Sequence, residues 1–260
     1  MITGNRPADG GHLIIEAEDY EEFISKEPEA KKYIKRLIGS AEFINGKDRY
    51  CLWLVNAEPG ELRKMPEVMK RIEACREDRE NAPDEGRRKL AERPSQFREI
   101  NNPDTFVVVP AVSSERRRYV PIGFLDRDVI ATNLVLMIPD AGLYHFGVLT
   151  SNVHMAWMRA VCGRLEMRYR YSKDIVYNNF PWCSPTKEQK EAIEKTAQSI
   201  LDARNLYPNS SLADLYDDLT MPEELRKAHE ANNRAVMQAY GFSIKDTSEA
   251  DCVAALMKMY

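Results

Sequence analysis

Apolar positions recur along this chain with two different periods, and the change from one to the other divides it. Residues 12–17 (HLIIEA) and 49–55 (RYCLWLV) have the length and residue types of short strands, and the basic stretch near 29–38 predicts a helix between them. Residues 61–100 are charge-rich and helical in pattern. Pro66 suits a first turn, Val68, Met69, Ile72 and Cys75 form a thin apolar stripe, and Ala82-Pro83-Asp84 is a break. Charge patterning predicts that this pair of helices is partly solvated, as an arm or as the wall of a groove.

From 105 to 149 the β-branched and aromatic runs TFVVVPAV, YVPIGFL, VIATNLVLMIP and LYHFGVLT, punctuated by proline and glycine, predict four strands. Ser151 then reads as the N-cap of a helix to about Cys162, with Val153, Trp157, Met158 and Val161 on one face and Gly163 at its end. In residues 164–171, Arg164, Glu166, Arg168 and Arg170 alternate with Leu165, Met167, Tyr169 and Tyr171, the period of a strand or extended loop with one polar face.

Beyond Pro185 the period is 3.6 throughout. Thr186 and Gln189 form a capping-box pattern ahead of the stripe Ile193, Ala197, Ile200, Leu201. Further helices are predicted from Ser211, from Pro222 to about Tyr240 with Gly241 as the stop, and from Ser248 to Met257. The expected architecture is an α+β (mixed α/β) domain over residues 1–183 followed by a small all-α helical domain over 184–260.

Length and composition agree with two folded units: 260 residues, 43% hydrophobic and 30% charged, exclude a disordered chain. No apolar run reaches the roughly 18 residues of a membrane span, and the N-terminus lacks the pattern of a secretory signal. Five cysteines without a C-x-x-C pair point to a reducing, cytoplasmic setting rather than to zinc or disulfides. The formal net charge of −4 argues against a nucleic-acid partner until it is resolved along the chain. Residues 111–180 hold nine Lys/Arg against six Asp/Glu, and eight of the nine are arginine, whereas residues 181–260 hold nine against thirteen. Arginine's planar fork suits phosphates and guanine edges.

The chemistry of an enzyme is missing. No Walker loop, GxGxxG, H-E-x-x-H or G-x-S-x-G is present, and the four histidines do not cluster with carboxylates or cysteines. His154 reads as a packed or surface histidine and Cys183 as a plain thiol without a local base, so an enzyme built on either is disfavoured. A binding module fits better. Within 164–171 an acid and a base two residues apart can read both members of one base pair: Glu166 would accept from a cytosine amine and Arg168 donate to guanine O6 and N7. The same spacing describes a surface ion pair.

Three phrases bear on that choice: GNRPADGG at 4–11, SSERRRYVPIGF at 113–124 and HMAWMRAVCGRLEMRYRYSKDIVYNNFPW at 154–182. Together they resemble the target-recognition and C-terminal helical domains of type IIL (MmeI-like) DNA restriction-modification proteins, over essentially the whole chain. The resemblance implies a non-catalytic reader of double-stranded DNA within a longer adenine-specific methyltransferase. No cofactor is expected in this portion; S-adenosylmethionine, and Mg2+ for any cleavage, would belong to other domains, and the methyltransferase domain of the same parent chain would be a partner. The family's N-P-P-Y tetrapeptide and P-D…E-x-K nuclease pattern are absent here. By the same resemblance Glu166 and Arg168 read one base pair, and Arg170, Asn133, Leu134 and Ala111 fall at specificity positions. Asn133 is the right type for adenine, whereas alanine and leucine offer only shape. Arg116, Arg117, Arg118, Arg159, Arg164 and Lys173 are expected to hold phosphates. Tyr177, Asn178, Asn179, Phe180 and Trp182 are expected to pack the motif against the body. The alternative is a protein-interaction module docking through the helices of 186–260.

Overall fold

The computed structural model describes residues 1–260. Its N-terminal part runs β1 (Ile2–Thr3), β2 (Ile14–Glu16), α1 (Tyr20–Lys26), β3 (Ile34–Ile38), α2 (Ser40–Asn45), β4 (Arg49–Leu52), α3 (Pro59–Leu62), α4 (Pro66–Glu80) and α5 (Glu85–Lys89). The middle adds β5 (Thr105–Pro110), β6 (Val112–Ser113), β7 (Gly123–Asp126), β8 (Val129–Ala131), β9 (Val135–Pro139), α6 (Leu143–Leu149), α7 (Asn152–Val161), β10 (Gly163–Leu165) and β11 (Arg168–Arg170), followed by a π-helical turn, Lys173–Tyr177. Four helices complete the chain: α8 (Lys187–Asn205), α9 (Leu212–Leu215), α10 (Glu223–Ala239) and α11 (Glu249–Met259).

The strands form three small sheets, ordered β1-β9-β5-β7, β2-β4-β3-β8 and β10-β11-β6. Only the β3–β8 pairing is parallel. The α+β class expected from the sequence is the one observed. β5 shows why its sequence is an unbroken apolar run. Val107 and Val109 face the large helical core, and Phe106 and Val108 face a second cluster with Ala131, Val135 and Met137, so both faces are covered.

Four expectations are corrected. Residues 29–38 are not a helix: a 3-10 turn over Pro28–Tyr33 leads into β3, which is captured between β4 and β8. Partners on both edges outweigh the local helical pattern. LYHFGVLT is helix α6 rather than a strand, with Phe146, Gly147, Val148 and Leu149 all buried; four consecutive buried positions leave no amphipathic period. VIATNLVLMIP is two strands, β8 and β9, separated by the turn 132–134. The alternating segment 164–171 is not one strand but the hairpin β10–β11, pairing Gly163 with Arg170 and Leu165 with Arg168 around a two-residue tip.

Most helix boundaries follow local chemistry. Ser151 Oγ accepts from the His154 N–H, Thr186 and Gln189 cap α8 reciprocally, and Ser211 and Ser248 do the same for α9 and α11. The stripe of α4 is buried against the sheet, and its last turn delivers Arg79, which is fully enclosed. All five of that guanidinium's N–H groups donate to carbonyls, of Pro7, Ala8, Leu90, Arg93 and Gln96, so the N-terminal loop and the segment after α5 are tied to one group.

One core of 34 buried residues runs from β5 and β9 through α6 and α7 into α8, α10 and α11. The apolar stripes of α8 and α10, which a docking role for these helices would use, are therefore buried within the chain. Polar groups join the same seam. Asn232 Nδ2 donates to the Gly147 carbonyl at 2.7 Å, and Asn233 takes the Asn152 N–H at 2.8 Å and donates to Tyr119 Oη at 2.8 Å. His229 stacks on Tyr119 and lies 2.7 Å from Tyr216 Oη, which also accepts from Arg204.

α6 and α8 approach closely at Gly147. A Cβ there would lie 2.7 Å from Ile193 Cγ2 and 3.1 Å from Ala197 Cβ. Gly147→Ala should therefore destabilise the chain by about 1–3 kcal/mol through overpacking. Chemical denaturation would show this as a lowered midpoint, and an unchanged midpoint would contradict the seam. The buried histidines set a pH dependence. Burial pulls His154 down to about 3 and holds His229 well below its ordinary value, Arg204 and Arg118 adding to the second effect. Both are neutral when folded but gain a proton near pH 6.5 when unfolded, so stability is full above that pH and falls below it, by at most about 1.4 kcal/mol per pH unit for each. Unfolding at pH 7.5 and 5.5, where ordinary carboxylates stay ionised, should show the loss; equal stability would contradict it.

Candidate nucleic-acid interface

The third sheet builds the surface. β6 pairs with β11, placing Tyr169 opposite Ser113 and Arg170 opposite Val112, and the Tyr171 N–H donates to the Ala111 carbonyl at 2.9 Å. Tyr169 and Tyr171 are buried while Arg168 and Arg170 are exposed, so the period of two holds within β11 itself. Beneath the sheet, Tyr171 Oη lies 2.9 Å from His154 Nε2 and Trp157 Nε1 donates to the Val176 carbonyl, fixing β11 and the π-helical turn on α7.

At the hairpin tip Glu166 has φ of +56°, a left-handed conformation uncommon for a residue other than glycine, asparagine or aspartate. The bend brings Glu166 Oε2 within 2.8 Å of Arg168 Nη2. The two groups meet across a turn rather than along one strand face, which the alternating pattern alone does not reveal. Both are exposed, so their pairing contributes about 0–1 kcal/mol and yields easily to other partners. Arg164 braces the tip: its guanidinium lies 4.1 Å from the Tyr169 ring centroid and donates to the Met167 carbonyl at 3.2 Å.

The turn carrying Asn133 and Leu134 is attached to the same sheet through Ala111, whose N–H donates to the Leu134 carbonyl at 3.1 Å. That turn is held from several sides. The Asn133 N–H donates to the Asn5 carbonyl, the Thr132 N–H to Ile38, and the Leu134 N–H to Thr132 Oγ1. Ser40 Oγ supplies a second donor to the Leu134 carbonyl. Asn5 is fully buried, its side chain bonding the backbone of Asn101 and Ala131, and a Cβ on Gly4 would lie 2.1 Å from the Thr132 carbonyl oxygen. The first residues of GNRPADGG thus support the turn. Ser40 carried no sequence signal, since its partner is 94 residues away; the Asn5 of that phrase was the available clue to the other support.

Ala111, Leu134 and Arg170 are therefore brought together by backbone bonds, Asn133 adjoins them, and Glu166 and Arg168 project at the hairpin tip. The cations are less uniform. Arg116 and Arg118 are exposed in the turn after β6, whereas Arg117 is half-buried and burial lowers its pKa. Arg159 is engaged by both carboxylate oxygens of Glu249 at 2.8 and 2.9 Å, so it ties α7 to α11. Lys173 is half-exposed, 3.9 Å from Asp174.

Away from this face, a cleft holds Tyr144, His145, Trp182 and Cys183. The sequence did not show that His145 and Cys183 line one cleft. Burial raises the Cys183 pKa and lowers that of His145, opposite to a thiolate–imidazolium pair, and the thiol lies 3.5 Å from Tyr144 Oη. His154 is packed in the core, edge-on to Phe180. No three metal-ligating side chains converge, and no helix is long and apolar enough to cross a membrane.

Comparison with known proteins bears on this arrangement. The family described as MmeI, target recognition domain, matches residues 1–184, and MmeI, C-terminal domain, matches 185–260. DNA methyltransferase A of Bacillus subtilis (strain 168) is 41% identical over 258 residues, covering 99% of this chain but 29% of that protein. The solved structure of the type IIL restriction-modification enzyme MmeI in complex with DNA superposes with a TM-score of 0.96 at 45% identity, covering all of this chain and 35% of that one. The chain thus spans about a third of the length of these relatives. A basic, hairpin-bearing face on a fold matched over its whole length leaves one assignment: this chain belongs to the MmeI family and spans its target recognition and C-terminal domains.

Proposed function

We propose that this chain reads the sequence of double-stranded DNA as the non-catalytic recognition module of a longer, S-adenosylmethionine-dependent, adenine-specific DNA methyltransferase of the restriction-modification type. The observation that carries the reading is the Glu166–Arg168 pair, exposed at the tip of a braced hairpin on an arginine-bearing face. The solved MmeI relative was determined in complex with DNA, which supports the same reading. On this reading the methyl donor, and Mg2+ for any cleavage, belong to other parts of the longer protein, and no residue here is assigned to either.

The chemistry follows from donors and acceptors. A two-stranded ribbon fits the major groove, roughly 12 Å wide. There Glu166 accepts from cytosine N4 and Arg168 donates to O6 and N7 of the paired guanine, so the ion pair of the free chain exchanges for a base pair of matching polarity. Arg168 and Arg170 share the exposed face of β11, about 6.6–6.8 Å apart by strand rise, which is about two base-pair steps. Arg170 is thus assigned to a different base pair. Asn133, on its fixed turn, has the paired donor and acceptor that adenine N6 and N7 require, and Leu134 and Ala111 contribute shape. Arg116 and Arg118 hold phosphates, with Arg117, Arg164 and Lys173 behind them. Arg159, already committed to Glu249, contributes through its contact with the Arg118 carbonyl.

Exchanging the pair's polarity tests this directly. Glu166→Lys with Arg168→Asp, introduced in the full-length enzyme, should invert one C:G position of the methylated site. Genome-wide mapping of methylated adenine reads the outcome, and an unaltered motif would remove the pair from recognition. Replacing Arg116 or Arg118 with alanine should act differently, weakening binding to all duplexes and reducing the salt dependence of log K by about one charge each. Losses confined to particular sequences would mean that they read bases.

A further inference from the structure

Beside the hairpin the surface sinks into a pocket of about 380 Å3 lined by Glu115, Arg164, Glu166, Met167 and Tyr169. Glu115 reaches it from the turn after β6, because the register of β6 against β11 sets that turn next to the hairpin. The other charged groups in the pocket are satisfied within the chain. Glu166 pairs with Arg168, and Arg164 is committed to the Tyr169 ring and the Met167 carbonyl. Glu115, half-buried, has no such partner: neither an ion pair nor a hydrogen bond engages its carboxylate, although Arg116 follows it in sequence. Met167 forms part of the wall and is 71% exposed, so its thioether is open to a partner.

A carboxylate on a phosphate-facing surface weakens binding by like-charge repulsion unless it meets a donor. Major-groove donors are the exocyclic amines of cytosine and adenine. We propose that Glu115 is a further specificity-determining residue, accepting from the exocyclic amine of a base next to the pair read by Glu166 and Arg168, with Met167 covering the apolar edge of the same base. The proposal rests on the DNA-reading function proposed above and adds a position to it.

The test uses the full-length enzyme and the same methylation map. Glu115→Ala should relax one position adjacent to the Glu166–Arg168 base pair, with about tenfold loss of discrimination there. Glu115→Gln keeps an acceptor oxygen and should retain most of the preference. An unchanged motif in Glu115→Ala overturns the proposal, whether affinity is unaltered or rises equally for all duplexes, the latter being the mark of a carboxylate that only repels phosphates. The double variant at Glu166 and Arg168, mapped alongside, separates the two readings. Inversion there with no effect at Glu115 removes Glu115 alone, whereas no effect from either removes the DNA-reading assignment of the hairpin.

Discussion

The segment Gly4–Asn5 against Ala131–Val135 is the constraint from which the rest of the recognition face is built. Asn5 N–H reaches the Ala131 carbonyl at 2.7 Å, its carbonyl takes the Asn133 N–H, and Gly4 N–H reaches Val135. These bonds join the end of β8 in one sheet to the start of β9 in another, so two sheets are fixed relative to each other through a single turn. Only glycine allows the backbones to approach this closely, since any Cβ at position 4 would occupy the space of the Thr132 carbonyl. The Leu134 carbonyl then passes the placement on to β6 through Ala111, and β6 passes it to the hairpin. A turn bonded on every side holds its side chains to a fraction of an ångström.

The acidic helices contribute in a different way. Their stripes complete the core around α6 and α7, and buried asparagine and histidine groups specify how they sit. Asn232 and Asn233 bond Gly147, Asn152 and Tyr119 across the seam, which makes a slipped register costly because it would strand buried donors. Arg159 with Glu249 adds an ion pair between the basic middle and the acidic tail. The net charge of −4 therefore combines an arginine-bearing face with a helical layer behind it, and says little about either alone.

Much of this was legible in the sequence where the physics is local. The caps Ser151, Thr186, Ser211 and Ser248, the stop at Gly241 and the stripe of α4 are each set by residues a few positions apart. What failed was nonlocal. β3 exists because β4 and β8 flank it, and α6 is helical because it is enclosed. The hairpin is instructive: alternation marked which residues of 168–171 are exposed and which buried but could not distinguish a strand from two half-strands folded at Glu166. The bend nevertheless brings the acid to the base, Glu166 to Arg168. The bond of Ser40 to Leu134, the setting of Glu115 beside the hairpin and the meeting of His145 and Cys183 in one cleft had no local signature at all.

The continuous core has a consequence for how variants of this fold can be assembled. A crossover placed at the junction near residue 184 would pair β-sheet faces from one protein with helices from another. It would have to recreate the fit of Gly147 against Ile193 and of Asn233 against Tyr119 at the same time. Transplanting the two portions together keeps those contacts intact. Altering exposed residues on the hairpin and the 132–134 turn leaves them untouched. Variation is thus easiest in a handful of exposed residues and hardest at the junction, where one change bears on both sides of a shared core.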